Sequence, residues 1–264
     1  QHSHDTEEVF IVHKGQWKFT WGEDGRDGET VLTSGDTISI PTEMFRGFEN
    51  VGDDKGFLFS VLGHLPNGTP GSVTWAPYVF EQAKQFGLVL LQNGRLIDTH
   101  SGQSIPDDQP LYVPVSGKEL DAFKTLTLED MNRNISRHNE LVSQDTGGLT
   151  NGDGVKEFSV IGDKTDNELM PAGKINRPHN FQLRRLLLEP GATVARHRRQ
   201  EAEVLVVHHG SLTVTTDMGT FTLSTGDLFT CPIGLSRCFT NEGSDIADVI
   251  VVRGGDYPGA AIFG

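Results

Sequence analysis

The sequence predicts an all-β fold with a strand-rich unit at each end of the chain and a mixed α/β connector between them. Three observations carry this reading. Glycine supplies 31 of 264 residues, well above the usual share of about 7%, with no collagen-like period, so turns are frequent. Short apolar segments bounded by Gly, Asp and Asn recur at both ends, as in sandwiches and barrels. A set of polar landmarks near the start of the chain also returns, at the same spacing, near its end, which marks an internal repeat.

The elements follow in order. In residues 1–66, positions 9–12 form an apolar run. Trp17, Phe19 and Trp21 alternate with polar residues and so share one strand face. Residues 22–25 and 27–28 read as turns, and residues 57–62 as a further strand. In the connector, residues 67–177, positions 76–86 read as a helix with Pro77 in its first turn and Gly87 as its stop. Residues 88–91 and 96–99 flank Asn93-Gly94, a hairpin signal. Residues 118–126 and 127–137 read as short helices, the second capped by Thr127. Trp75, Tyr78 and Phe80 are candidates to cover a pocket. Residues 178–264 return to strands, including 181–188, 203–207 and 249–252.

Charge and composition exclude several classes. Lys+Arg number 22 against Asp+Glu 36, a net charge of −14, which repels phosphate backbones and anionic lipid; nucleic acid and membrane are excluded as partners. No apolar run approaches the roughly 20 residues that span a bilayer, and residues 9–12 are too short for a signal-peptide core. The two cysteines, Cys231 and Cys238, form no disulfide framework, so a reducing, cytoplasmic home is expected. There is no Gly-rich phosphate loop, Ser-His-Asp ordering or Cys-x-x-Cys pair.

The repeat holds the chemistry. The first copy reads His2-x-His4-x3-Glu8-x6-Gly15, then Gly35-Asp36-x4-Pro41, Arg46 and Asn50. The second reads Gly191-x5-His197-x-Arg199-x3-Glu203-x6-Gly210, then Gly226-Asp227-x4-Pro232-x-Gly234-x2-Arg237 and Asn241. On a strand, residues i and i+2 face one side, so His2 and His4 converge, and a turn can bring Glu8 to the same point. Two imidazoles and a carboxylate are the donors of a facial triad, which leaves positions open for substrate and dioxygen.

These residues resemble the two cupin motifs, G-x5-H-x-H-x3,4-E-x6-G and G-x5-P-x-G-x2-H-x3-N. Two copies resemble a bicupin, which implies a double-stranded β-helix (jelly-roll) barrel at each end. The layout of two barrels and a structured connector is loosely similar to gentisate-type ring-cleaving dioxygenases. The resemblance also implies a homodimer. The first copy has no counterpart of the Gly191-x5 lead-in. Residues preceding residue 1, a strand from another subunit, or one from elsewhere in the chain such as the connector hairpin at 88–99, would complete that barrel.

The departures from the motif matter as much as the matches. The fourth ligand, a histidine in the family, is Arg46 in one copy and Arg237 in the other, and arginine carries no donor lone pair. The first site therefore keeps His2, His4 and Glu8. The second keeps His197 and Glu203 with Arg199 and Arg237, a degenerate site in which Glu203 is expected to pair with arginine. Arg46 has two readings: it grips a substrate carboxylate in bidentate fashion, or it neutralises Glu8. His13 and His208 share one repeat position and are expected to pack at the barrel surface or end, whereas His209 is a candidate to line the second barrel.

The resemblance and the donor set together imply a non-haem, metal-dependent oxidoreductase. A dioxygenase acting on a small anionic aromatic or carbonyl-bearing molecule leads, with Arg46 orienting the substrate. One divalent metal is expected, iron first, then manganese, copper or nickel. The alternatives are a metal-free ligand-binding or sensor bicupin, and a cupin isomerase, lyase or hydrolase.

Overall fold

The structure, a computed structural model, describes residues 1–142, 144, 146–150, 152–165 and 168–264. The first barrel is built from β1 (His2–His4), β2 (Glu8–Lys14), β3 (Gln16–Trp21), β4 (Gly28–Thr33), β5 (Thr37–Ile40), β6 (Arg46–Asn50) and β7 (Phe57–Leu62). The connector contributes β8 (Val73–Trp75), α1 (Pro77–Gln85), β9 (Leu88–Leu90), β10 (Leu96–Asp98), α2 (Leu128–Asn132), β11 (Ile135–Ser136) and α3 (His138–Leu141). The second barrel contains β12 (Val155–Ile161), β13 (Phe181–Leu188), β14 (Thr193–Arg198), β15 (Glu203–His209), β16 (Ser211–Thr216), β17 (Gly219–Ser224), β18 (Leu228–Cys231), β19 (Arg237–Thr240), β20 (Ala247–Gly254) and β21 (Ile262–Phe263).

Each barrel packs one sheet against another. The first has the orders β4-β3-β6-β1-β8 and β11-β5-β2-β7, the second β17-β16-β19-β14-β21 and β12-β13-β20-β15-β18. The repeat is exact in register: His2 faces Arg46 across β1 and β6, as His197 faces Arg237 across β14 and β19. Glu8 lies between Ile40 and Leu62, and Glu203 between Cys231 and Arg253. Gly15 and Gly210 make the same hairpin turn at φ 94° and 74°. A Cβ on either would lie 2.9 or 2.6 Å from the backbone of Gly56 or Ile246, just before β7 or β20, so this turn requires glycine.

Period-two alternation then builds three cores. On β2, Phe10 and Val12 face the first barrel's interior, whereas Val9 and Ile11 join Phe158, Val160, Phe181, Leu183, Val206 and Ile250 in a seam between the barrels. The second barrel's interior takes Leu186, Leu188, Leu205, Val207, Val249 and Val251. The seam also buries Arg185, whose Nη2 lies 2.7 Å from Asp248 Oδ2 and whose Nη1 donates to the Gly35 carbonyl of the first barrel at 3.3 Å. His13 and His208 meet edge-to-face in the seam, with ring centroids 5.1 Å apart. Trp21 donates its indole N–H to the Leu126 carbonyl at 2.8 Å and so ties the connector to the first barrel.

Several expectations are corrected. The stretch 127–137 is not one helix: Thr127 caps α2, accepting from the Asp130 amide, but the chain then extends so that Ile135 and Ser136 pair with β5. Sheet pairing overrides helix propensity there. Residues 117–122 form only a 3₁₀ turn. The hairpin β9–β10 forms its own two-stranded sheet and does not complete the first barrel; β8 pairs with β1 instead, as β21 does with β14. β7 has no strand on its outer edge among the described residues, where β20 has β13. His209 is exposed rather than inside the barrel, because the register slips between Val207 and His209. No helix among the described residues is long and apolar enough to cross a membrane.

Removing Asp248 leaves the Arg185 guanidinium buried without a counter-charge. Asp248→Ala is expected to lower unfolding free energy by about 3–5 kcal/mol, and the Arg185→Met/Asp248→Leu double variant to recover most of it. Urea unfolding checks both; a loss below roughly 1 kcal/mol for the single variant would contradict a fully buried pair.

A candidate metal centre in the first barrel

β1 delivers His2 and His4 to one face, and the turn after it returns Glu8 at the start of β2. Their Nε2 atoms lie 3.7 and 3.5 Å from Glu8 Oε2. One donor atom from each residue falls in a cluster within 4.8 Å, and no other such group of three occurs among the described residues. Donors about 2.1 Å from one ion stand roughly 3.0–3.4 Å apart at right or tetrahedral angles, so this spacing needs only a small closure. Glu8 Oε2 is buried and makes no hydrogen bond among the described residues. Such an oxygen keeps a lone pair for a ligand bond, and two imidazoles with one carboxylate are suitable donors for a first-row divalent metal.

Electrostatics agree with ligation. Burial, more than any other influence, pushes the His4 imidazole below its ordinary range, which keeps it neutral with a lone pair. For Glu8, burial would raise the carboxyl, but the His2 imidazole and the charges of Arg46 and His4 outweigh it and hold it low. Arg46 is fully buried and places Nε 3.2 Å from Glu8 Oε2, while Nη1 donates to the Met44 carbonyl at 3.1 Å. Burial lowers its guanidinium to about 10, so it remains a cation at neutral pH. Of its two sequence readings, pairing with Glu8 is therefore visible; its Nη2 has no hydrogen-bond partner among the described residues.

Beside His2 stands Trp75, with ring centroids 5.4 Å apart. Trp75 and Phe80 line an apolar cavity of about 280 Å³ with Val79, Leu88, Leu90 and Leu96. Tyr78, expected with them, is not part of its lining.

The second barrel treats the same carboxylate differently. Glu203 is enclosed by Arg237 on Oε2, by Arg253 Nε at 2.7 Å and by Arg199 Nε at 3.3 Å from Oε1. Burial alone would raise its carboxyl, yet the three guanidiniums hold it at about 2. His197 turns Nδ1 to the Ala195 carbonyl at 2.9 Å, and burial lowers it to about 4. The expected pairing of Glu203 with Arg199 and Arg237 is present, and Arg253, Glu157 and Glu168 extend it. Arg253 Nη2 is 2.6 Å from Glu157, and Arg199 Nη2 is 2.6 Å from Glu168. Sequence reasoning missed these three because they lie outside the motif. The available signal was a charged residue in an apolar strand, as in Val249–Arg253.

Comparison with known proteins agrees with this geometry. The family described as "Cupin domain" matches residues 1–62 and 184–253, together half of the chain. The chain belongs to the cupin family, and with two barrels it is a bicupin. Among solved structures it is similar to oxalate decarboxylase from Bacillus subtilis at pH 4.6 (16% identity, 99% of this chain and 65% of that one, TM-score 0.57). It is also similar to a multiple mutant of that enzyme (17% identity, 99% and 66%, TM-score 0.58). A third structure, from work on the Mn(II) centres of the same enzyme, gives 16% identity, 99% and 66% coverage and a TM-score of 0.55. The chain thus spans about two thirds of the length of these proteins, and at this identity the likeness is one of fold. A search of the curated proteins finds no match.

Two outcomes follow. Elemental analysis should find about one divalent metal per chain, lost in His4→Ala and retained in His197→Ala; metal lost from a folded His197→Ala protein would contradict the assignment. Glu203 has an ordinary value of 4.5 and sits at about 2 when folded. Its contribution to stability is therefore complete above pH 4.5 and disappears as pH falls through 2. Acid unfolding of Glu203→Gln should show a shallower slope across that window.

Proposed function

We propose that this bicupin is a metal-dependent oxidoreductase whose centre is His2, His4 and Glu8, and that it acts on a small organic anion with dioxygen as co-substrate. One observation carries the proposal: the buried Glu8 oxygen, without a hydrogen bond among the described residues, lies 3.5 and 3.7 Å from two imidazole nitrogens. Iron suits the donor set and the reaction class; manganese suits the same donors and is the metal named for one of the similar structures. When bound, such an ion supplies Lewis acidity and, for iron, electron transfer to dioxygen.

The chain's own residues supply the rest. Arg46 orients Glu8 from the side where cupins place a fourth ligand, which leaves a three-donor set with free positions. Its Nη2, buried and without a hydrogen-bond partner among the described residues, is the donor that a substrate carboxylate entering the barrel would take. Trp75 and the apolar cavity it lines flank the centre on the His2 side. A second reading is lyase chemistry on a small carboxylate, favoured by the likeness of fold to manganese oxalate decarboxylase.

Iron- and manganese-loaded protein, screened against small mono- and dicarboxylates in an oxygen electrode, separates the two. Dioxygen consumed in proportion to product supports the proposal, whereas carbon dioxide released without net oxygen uptake supports the lyase and overturns it. Arg46→His rebuilds the four-ligand set. It should tighten metal binding and raise KM by about tenfold or more, the loss of roughly one charged hydrogen bond. An unchanged KM would remove Arg46 from substrate binding.

A further inference from the structure

Among the described residues, the second barrel buries one more positive than negative charge. Its interior buries four guanidiniums, Arg184, Arg199, Arg237 and Arg253, against three described carboxylates, Glu157, Glu168 and Glu203. Arg199, Arg237 and Arg253 pair with these carboxylates. Arg184 forms no ion pair among the described residues. It is wholly inaccessible to solvent, and only its Nη2 is engaged, by Gln182 Oε1. Its Nε and Nη1 have no hydrogen-bond partner among the described residues. Directly across the β12–β13 ladder, in register with Arg184, stands Ser159, whose buried hydroxyl also has no hydrogen-bond partner among them. Both positions share the inward parity of Glu157 and Leu186.

A buried cation and a buried hydroxyl, side by side and both unsatisfied, are costly together. The missing component is an acceptor with negative charge. We propose that the second barrel binds one small monovalent anion, of halide or formate size, on Arg184 Nε and Nη1 and Ser159 Oγ. The surplus of a single positive charge among the described residues sets the valence, and the full burial of both side chains limits the anion to a small size. This barrel, whose motif carboxylate is taken up by arginines, would then be an anion site rather than a metal site. The inference does not depend on the activity proposed for the first barrel.

Thermal unfolding of the full chain in bromide or formate, against gluconate at equal ionic strength, tests it. The midpoint should rise by roughly 5 °C or more at a hundredfold excess over Kd. Arg184→Met should abolish that rise, and Ser159→Ala should raise the half-saturating anion concentration several-fold while preserving the fold. A wild-type midpoint equal in all three salts, or an anion effect unchanged in Arg184→Met, would overturn the proposal. Should Arg184→Met fail to fold, bromide-soaked wild-type crystals decide. An anomalous peak within hydrogen-bond reach of Arg184 supports the site, and none there contradicts it.

Discussion

The structure turns on one buried contact made twice: a motif glutamate beside the arginine that stands where cupins carry a fourth metal ligand. Arg46 approaches Glu8 and Arg237 approaches Glu203 from equivalent strands. An arginine at this place cannot ligate a metal, but one guanidinium does not exhaust a carboxylate. The surroundings decide what remains. In the first barrel the neighbouring positions are His4 and Leu62; in the second they are Arg199 and Arg253. With one guanidinium and two imidazoles, Glu8 keeps an unsatisfied oxygen. With three guanidiniums, Glu203 keeps none.

This difference also explains the energetics of the two halves. A buried ion-pair network contributes little net stability against an apolar alternative, but it is expensive to break. The second barrel is therefore committed: loss of any partner strands a charge in a dry interior. The first barrel trades that rigidity for a donor set. The seam between the barrels repeats the theme with Arg185 and Asp248, whose guanidinium also reaches the Gly35 turn across the boundary. The shared apolar layer from β2, β12, β13, β15 and β20 makes the two halves one packed body.

Much of this was legible in the sequence. His2, His4, Glu8 and Arg46 and their counterparts were fixed by spacing alone, because the register of paired strands preserves the interval between repeats. The pairing of Glu203 with arginine followed from charge. What could not be read was long-range. Arg253, Glu157 and Glu168 join the network around Glu203 only after four separate segments close into a barrel, and none lies in the motif. The break of the 127–137 stretch into α2 and β11 depends on the free edge of β5, which no local propensity reports. Arg184 and Arg185 are adjacent in sequence and point to opposite faces of β13, one into the barrel and one into the seam. Their different roles emerge only once the strand's parity is set against both cores.

With the proposed centre of His2, His4 and Glu8, the two barrels, built from one repeated motif, differ in metal capacity. Anomalous diffraction at the manganese and iron edges, from crystals grown with each metal, tests it most directly. One peak among His2, His4 and Glu8, with none near Glu203, is the predicted result. A peak between His197 and Glu203, or an empty first barrel at saturating metal, would contradict it.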